Sequence, residues 1–388
     1  MRICIAYDCL FPWTVGGAER WYRGLAERLA ADGHQVTYLT RLQWSPNDWP
    51  DIPGVRVVAV SREEPLYGTN GNRRIGEALR YGWGILKHLG RHGADYDVVH
   101  TCSFPYFSLL AAGAVRPLYR YALVVDWFEV WSREYWRTYL GTLKGRIGGA
   151  VQWACARIPQ SAHCFSKRHA DRLVGLGMQP PPTLIGGLYQ GDMAAAHNDE
   201  GREPLIVFAG RHIPEKRAPS VVAAIGELRS RGLDARGLIL GDGPQREFVL
   251  EEISRLGLTG SVSAPGFVSG EELDGALGEA LCIVQPSVRE GYGLILVEAA
   301  AHGTPSVVVD HPDNASVELV EPGVNGVVSS SGSPADLAEA ISSVQAAGLA
   351  MNRSTADWFE RHAERLSLES SLARVSASYE PAASQEAP

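Results

Sequence analysis

Short apolar runs alternate along the chain with longer segments in which apolar residues recur every three or four positions. In the first half, strands are predicted at RICIAYD, QVTYLT, VRVVAV, YDVVHTC, YALVVD, AHCFS and PTLIGGL. Helical periodicity is found in AERWYRGLAERLAADG and RRIGEALRYGWGILKHLG. Apolar strands joined by helices are typical of a parallel sheet buried on both faces, so the pattern predicts a doubly wound α/β domain.

The same pattern restarts after a polar stretch. A second set of strands is predicted at LIVFAG, GLILGDG, SVSAPGF, LCIVQPS and PSVVVD. We therefore predict a first domain over 1–190, a linker over 191–204 and a second domain over 205–355. A long helical pattern over 356–380 runs into the last nine residues, EPAASQEAP, whose composition is typical of disorder. Parallel sheets bind ligands at the carboxyl ends of their strands, so two facing domains predict an interdomain cleft with one substrate on each side.

Composition narrows the class of protein. Hydrophobic residues make up 45% of the 388 positions, and the net charge of −8 argues against nucleic acid or an anionic membrane as the main partner. No apolar run approaches the roughly 20 residues of a membrane span, and the N-terminus lacks the features of a signal peptide. The six cysteines are scattered without a C-x-x-C pair. We expect reduced, buried thiols and a cytoplasmic location.

Candidate chemistry is densest in SVREGYGLILVEAAAHGTPSVVVD, residues 287–310. Glu290 and Glu298 flank a Gly-Tyr-Gly-Leu turn that leads from a strand into a helix. Two separated carboxylates suit an extended ligand with hydroxyls at both ends, and the turn amides suit an anion between them. A nucleotide-sugar has this form, with ribose, pyrophosphate and hexose in a row. The alternative is that Glu298 caps or pairs locally.

Further strand ends carry residues suited to phosphate. Gly16 and Gly17 stand at a helix entrance, where paired glycines form either a phosphate cradle or a plain turn. Arg211 and Lys216 follow a strand of the second domain, where they either neutralise a pyrophosphate or are solvated surface charges. Asp95 and Asp97 spell a D-x-D motif but open a strand instead of ending one, so we expect no metal there.

Taken together, these motifs resemble the retaining glycosyltransferases of family four, which have the GT-B fold of two Rossmann-like domains. The matching segments run nearly from end to end, as GGAER, AGRHIPEKR, LGDGPQREFVLEE, APGFVSGEEL, PSVREGYGLILVEAAAHGTPSVV and EPGVNGVV. The resemblance implies transfer from a UDP- or GDP-sugar with retention of configuration and without a divalent metal or other cofactor. It also implies that the helix over 356–380 crosses back to the first domain.

The resemblance also assigns roles to individual residues. Arg211, Lys216 and Glu290 would be catalytic, the two cations holding the pyrophosphate and the glutamate holding hydroxyls of the donor sugar. Glu298 would bind the ribose, and Gly17 would close on the donor from the first domain. The full set of predicted donor-binding residues is Gly16, Gly17, Arg211, Lys216, Phe267, Val268, Glu290, Gly291, Tyr292, Gly293, Leu294 and Glu298, with Phe267 and Val268 beside the nucleobase.

The chain departs from the family pattern near the acceptor. The segment VVDWFEVWSREYW has Phe128 where many relatives carry a histidine, and a phenyl ring cannot take a proton from an acceptor hydroxyl. Either the neighbouring acids supply the polar contacts to the acceptor, or the leaving phosphate is the base. The third alternative is an acceptor that needs no base, such as a thiol or thione of low pKa. We favour a small or soluble acceptor, such as one of secondary metabolism. The candidate acceptor residues are His100, Asp126, Trp127, Phe128 and Glu129.

Rival hypotheses remain open at this point. The cluster Trp127, Phe128, Trp131, Tyr135 and Trp136 would wall an acceptor pocket or pack in a core. A lipid acceptor of the cell envelope is one rival, because RTYLGTLKGRIGGAVQWACAR carries several Lys and Arg without acids. A nucleotide-sugar epimerase on the same scaffold is a second, and it would convert the donor with no acceptor present. A non-catalytic sugar-nucleotide binding protein is a third. Oligomeric state has no signal in the sequence.

Overall fold

The computed structural model describes residues 1–45, 47–66, 73–191 and 204–379. The chain divides into two compact units, one containing residues 1–188 together with the end of the chain from Ser367, and the other spanning Tyr189–Leu366. Most of the predicted linker over 191–204 and the nine-residue tail lie outside the described residues. No helix of the described segments is both long and apolar enough to span a bilayer.

The first unit is built on a seven-stranded sheet with the order β3-β2-β1-β4-β5-β6-β7. Every neighbouring pair is parallel. Its strands are β1 Arg2–Ala6, β2 Gln35–Arg41, β3 Val55–Ser61, β4 Val98–Cys102, β5 Ala122–Trp127, β6 Ser161–Cys164 and β7 Thr183–Leu184. Its first six helices are α1 Gly17–Ala31, α2 Ile75–His92, α3 Phe107–Tyr119, α4 Arg133–Leu140, α5 Thr142–Ala156 and α6 Lys167–Gly175.

The second unit has a six-stranded parallel sheet with the order β10-β9-β8-β11-β13-β15 and a small two-stranded sheet β12-β14. Its strands are β8 Leu205–Ala209, β9 Arg236–Leu240, β10 Val262–Gly266, β11 Cys282–Gln285, β12 Arg289–Glu290, β13 Ser306–Val309, β14 Asp313–Asn314 and β15 Gly326–Ser329. Its helices are α7 Ala218–Ser230, α8 Arg246–Arg255, α9 Gly270–Glu279, α10 Leu294–Ala301, α11 Pro334–Ala347 and α12 Leu349–Leu366.

Both main sheets confirm the predicted fold class. Numbered within each main sheet, the first six strands follow the order 3-2-1-4-5-6, which is that of a doubly wound Rossmann-like domain. The central strands β4, β5, β11 and β13 are buried along their whole length, which explains why the sequence shows continuous apolar runs there. All six cysteines are free and buried.

The end of the chain differs from the prediction of one long helix over 356–380. The structure has two helices, α12 and α13 Leu368–Ala377, with α12 in the second unit and α13 in the first. Ser367 separates them, because its side chain accepts a hydrogen bond from the amide of Ser370 (3.0 Å) and so begins a new helix. Ser371 on α13 accepts a further bond from the amide of Gly187 (3.0 Å) in the first unit. The predicted single helix is therefore wrong, because an N-cap interrupts it.

A buried network of charged and polar groups lies at the end of β5. Asp126 is fully buried; its Oδ2 accepts a bond from Trp21 Nε1 (2.6 Å) and lies 3.0 Å from His100 Nε2. Its Oδ1 lies 3.3 Å from His163 Nδ1, and His100 Nδ1 lies 2.6 Å from the Tyr379 hydroxyl. Burial alone would raise the pKa of Asp126, but the charge and bond of His100, together with His163, hold that pKa well below its usual value. Asp126 is therefore ionised and ties three strands and the end of the chain together.

We expect Asp126→Ala to lower the free energy of unfolding by about 3–5 kcal/mol, because it leaves buried imidazoles without their acceptor. Urea denaturation followed by circular dichroism measures this. The matched control is Asp97→Ala in the same sheet, whose ion pair with Arg2 is partly exposed and should cost at most about 1 kcal/mol.

The contribution of Asp126 also has a pH dependence of known sign. Because its folded pKa lies below the unfolded value of about 3.9, the stabilisation is complete above that pH and is lost as the pH falls below it. The difference between wild type and Asp126→Ala should thus shrink in acid. A difference that stays constant from neutral pH to about pH 3 would contradict an ionised Asp126.

Candidate functional site

The predicted cation and the predicted carboxylate of the second unit lie together. Lys216 ends a short 3₁₀ turn, Pro214–Lys216, beyond the carboxyl end of β8. Its Nζ forms a hydrogen-bonded ion pair with the Glu290 carboxylate on β12, although the two residues are 74 positions apart in the chain. Only 16% and 19% of the two side chains are exposed. The tertiary structure thus joins two of the three predicted catalytic residues in a partly buried ion pair beyond the carboxyl ends of the strands.

The backbone on either side of this pair is held by neighbouring strands. Glu290 stands opposite Asn314 in the parallel pairing of β12 and β14. The amide of Val288 donates to the carbonyl of Glu215 (2.9 Å), and Arg289 Nη2 lies 3.7 Å from Glu215 Oε1. These contacts fix the loop that follows β8 against the turn that follows β11. The position of the pair is therefore set by backbone contacts as well as by its own charges.

The turn that follows Glu290 opens directly into α10. Gly293 caps this helix with φ 101°, and a Cβ at that position would lie 2.6 Å from the Cβ of Ser316, so only glycine fits. The first amides of a helix have no intrahelical acceptor and carry the positive end of its dipole. Tyr292 is buried, and burial raises the pKa of its phenol, which stays neutral. The turn therefore presents backbone donors beside a carboxylate and a cation.

The remaining predicted donor residues of this unit follow strand ends or continue the turn. Glu298 lies one turn inside α10, partly buried and engaged in a contact within the protein, so the alternative that it pairs locally stays open. Arg211 is exposed just beyond β8. Phe267 follows β10 with 72% of its surface exposed, and Val268 is half-buried. Gly291 is buried, and Leu294 is the first residue of α10.

In the first unit, the glycine pair lies where the sequence predicted a helix entrance. Gly16 is the N-cap of α1 and Gly17 its first residue, and the space beside the Cα of Gly17 is open. The loop from β1 to α1 therefore ends at an exposed glycine, and the Glu19 carboxylate lies beside Gly16. That is compatible with either of the two interpretations made from sequence, a phosphate cradle or a plain turn.

The candidate acceptor residues divide into a buried and a half-buried group. His100 and Asp126 belong to the network described above, and the Trp127 indole donates to Gln160 Oε1 (2.9 Å) inside the core. Only Phe128 and Glu129 are partly exposed. Trp127 therefore offers no open ring surface to a ligand in this structure.

The predicted aromatic wall is mostly core. Trp127, Trp131, Tyr135 and Trp136 are all buried in the hydrophobic cluster of the first unit. Phe128 is the partly exposed member, and it stacks on Phe165 with ring centroids 4.7 Å apart and planes 8° apart. The centroid of its ring also lies 6.2 Å from that of Tyr22, with the two ring planes 74° apart. The Phe128 position is thus built for apolar packing.

Among the described residues, one group has ligand atoms close enough to hold a metal ion. His100, Asp126 and His163 bring such atoms within 4.8 Å of one another, and all three are buried. Each already contacts the others or Trp21, so their arrangement is accounted for as a charge network. Asp97 of the D-x-D motif accepts bonds from the amide and the guanidinium of Arg2, both 2.7 Å long.

Sequence reasoning missed two residues that support the pair. Glu215 contacts the strand that carries Glu290, and Asn314 pairs with Glu290 and accepts bonds from the amide and hydroxyl of Ser316 (3.1 and 2.6 Å). The available signal was the position of Glu215 directly before Lys216. Asn314 lies in a segment with no recognisable pattern.

Comparisons with known proteins identify the family of the chain. The family model Glycosyltransferase Family 4 matches residues 15–185, and the model Glycosyl transferases group 1 matches residues 191–354. The chain is 26% identical to a glycogen synthase of Mycobacterium tuberculosis over 87% of its own length and 84% of the relative. It is 32% identical to an alpha-D-kanosaminyltransferase of Streptomyces kanamyceticus over 32% of each chain.

The fold is also that of a known structure. The sucrose-phosphate synthase of Thermosynechococcus elongatus superposes with a TM-score of 0.80 at 19% identity, covering 98% of both chains. The two family models together account for nearly the whole described chain. The chain is therefore a glycosyltransferase with the GT-B fold, in which a Glycosyltransferase Family 4 domain precedes a glycosyl transferases group 1 domain.

Proposed function

We propose that this glycosyltransferase moves a sugar from a UDP- or GDP-sugar to a small or soluble acceptor, with retention of configuration and without a metal ion. The observation that carries the donor side is the Lys216–Glu290 pair beside the N-terminus of α10. A cation and the amides at a helix N-terminus bind phosphate, and a carboxylate accepts hydrogen bonds from sugar hydroxyls.

The pair prepares both of its members for the donor. Each side chain is largely removed from water, so an unpaired charge at either position would carry a desolvation cost that the partner's charge now offsets. In the complex we propose, the Lys216 ammonium moves its interaction to the pyrophosphate while Glu290 accepts hydroxyls of the sugar. Arg211, which is exposed at the same sheet edge, adds a second cation. Charge that develops on the departing diphosphate then meets fixed positive groups, which replaces a metal ion in this role.

The proton of the acceptor needs a different route from the one a histidine would provide. Phe128 is packed on Phe165 and has no group that accepts a proton. We propose that the leaving phosphate oxygen takes the proton on the face where the sugar is released, which is consistent with retention. An acceptor that is already anionic near neutral pH, such as a thiol or thione, makes this step unnecessary.

The proposed acceptor class draws on the relatives as well as on Phe128. A relative from Streptomyces kanamyceticus is, by its name, a 2-deoxystreptamine glucosyltransferase, a name that points to a small polar acceptor, and the chain shares 36% identity with it over 26% of its length. Glu129 is half-buried and already accepts a bond from Trp131 Nε1 (2.6 Å), so it is a polar group at hand near Phe128. These observations support a small polar acceptor near the end of β5.

A thermal-shift panel of UDP-, GDP-, ADP- and dTDP-sugars without metal tests the donor assignment. We expect one nucleotide-sugar to raise Tm, because a ligand at about 100 times its Kd stabilises the folded state by about 2.7 kcal/mol. Glu290→Gln should abolish most of the shift and Glu298→Gln should reduce it. Glu252→Gln on α8 is the matched control and should leave it intact. No shift with any donor, or equal loss in the control, would remove the basis of the assignment.

Lys216→Gln is expected to reduce kcat about 10²–10³-fold, because it removes a cation from the developing diphosphate charge. Initial rates of transfer, or of donor hydrolysis in the absence of acceptor, measure this. The control is Lys167→Gln, an exposed lysine paired with Asp171, which should keep the wild-type rate. A Lys216→Gln variant with an unchanged kcat would show that the pair is structural only.

Transfer should persist in excess EDTA, and the product should have the anomeric configuration of the donor. Proton NMR coupling constants of the product, measured in the same EDTA reaction, report both results. Loss of activity in EDTA that added Mg²⁺ restores would contradict the metal-free proposal. An inverted product would contradict retention and leave the donor assignment in place.

A further inference from the structure

Helix α5 of the first unit presents its large apolar side chains outward. Leu143 is 73% exposed, Ile147 58% and Trp153 48%. On a helix with about 3.6 residues per turn, Leu143, Ile147, Ala150 and Ala154 fall on one stripe, and all four are exposed. Exposed apolar groups that form a contiguous stripe usually mark an interaction surface, unlike single exposed residues.

The inward face of the same helix explains this orientation. A Cβ at Gly145 would overlap the carbonyl of Trp136, and one at Gly148 would overlap its indole ring. The glycines therefore let α5 pack directly against α4. Gln152 on that face bridges the Trp131 backbone, accepting from its amide (2.9 Å) and donating to its carbonyl (3.0 Å). The core contact of α5 uses these glycines and Gln152 together with Val151, Cys155 and Ala156, so the exposed Leu143 and Ile147 contribute little to the core.

Cations flank the apolar stripe on both sides. Lys144 lies along one side and Arg146 and Arg157 along the other, and Arg157 also covers the Trp153 ring at 4.1 Å. The whole stretch 135–170 holds six Lys and Arg and no Asp or Glu, in a chain whose net charge is −8. Long basic side chains beside an apolar stripe can keep their charges in the headgroup layer while their stems cover hydrocarbon.

We propose that α5 docks the protein on an anionic lipid surface, with the apolar stripe in the headgroup boundary and the cations on the lipid phosphates. A second copy of the chain is a poorer occupant, because a two-fold contact through this stripe would bring the same cations together, and α5 itself carries no acid to compensate them. The proposal does not depend on the donor or the acceptor, since it concerns only where the protein lies.

Co-sedimentation of the full chain with vesicles tests the proposal. The vesicles are phosphatidylcholine alone or with about 30 mol% phosphatidylglycerol, a fraction chosen to give an anionic surface. We expect binding to the anionic vesicles, little binding to the neutral ones, and a marked decrease on going from about 0.1 M to about 0.5 M salt. No binding to anionic vesicles at low salt would overturn the proposal.

Two double variants separate charge from apolar contact. Lys144→Gln with Arg146→Gln should weaken anionic-vesicle binding about twenty-five-fold, since each cation near such a surface contributes about fivefold. Leu143→Ser with Ile147→Ser should weaken it about tenfold or more by removing the buried apolar area. The matched control is Phe248→Ser with Leu250→Ser on α8, which are 56% and 42% exposed and should leave binding unchanged.

The remaining outcomes also decide the question. Equal loss of binding in the α8 control would show general adhesion and overturn the proposal. Sedimentation in which the Leu143→Ser, Ile147→Ser variant dissociates an oligomer, with no vesicle binding by wild type, would assign the stripe to contact between copies instead. Thermal melts confirm folding of each variant, and the charge variant carries the test if the apolar variant does not fold.

Discussion

Both halves of the molecule depend on one constraint, which is that every main strand is parallel to its neighbours and that the central strands are buried on both faces. In a parallel sheet the carboxyl ends of all strands lie on the same side. The chain must therefore return across a face of the sheet after each strand, usually as a helix. Residues far apart in sequence therefore meet on that side. Lys216 follows β8 and Glu290 follows β11, and these strands are direct neighbours in the sheet. Their ion pair is a consequence of topology.

Burial on both faces also makes every polar group at a strand end costly unless it is paired. Asp126 shows how the first unit meets this requirement, because it lies opposite His163 across β5 and β6 and beside His100 on β4. Tyr379, contributed by the end of the chain, completes the set through His100. The charges that sequence reasoning assigned to an acceptor are thus used inside the protein to hold strands β4, β5 and β6 and the chain end in place.

The two units use their strand ends differently. The second unit leaves its edge open, with an exposed arginine, an exposed phenylalanine and a helix that begins at a glycine. In the first unit, aromatic packing surrounds the end of β5, where Phe128 stacks on Phe165 and also contacts Tyr22. The donor that we propose is large and charged, which suits the open strand ends of the second unit. The acceptor that we propose needs no nearby base, which suits the aromatic packing of the first unit. The outward stripe of α5 is a separate feature, for which we propose attachment to an anionic lipid surface.

The sequence alone determined the fold class and the candidate residues of the donor site that we propose. Burial of a strand on both faces requires a continuous apolar run, and a positive φ before a helix requires a glycine. Both features can therefore be recognised in the amino-acid sequence. The helices α3 and α5 left weaker marks, because α3 contains a proline in its last turn and α5 uses glycines for its core contact. The position of the break at Ser367 was also missed, because amphipathic periodicity continues on both sides of an N-cap.

Only the tertiary structure decided which candidate residues are accessible. The sequence predicted Trp127, His100 and Asp126 as acceptor residues. In the structure their side chains are buried by strands and helices from distant parts of the chain. Likewise, the basic character of α5 was visible in the sequence, but its outward apolar stripe depends on how closely α4 approaches its glycines. Burial is a property of the whole packing, whereas periodicity is a property of one segment, and this is why the sequence predicted the elements and not their exposed faces.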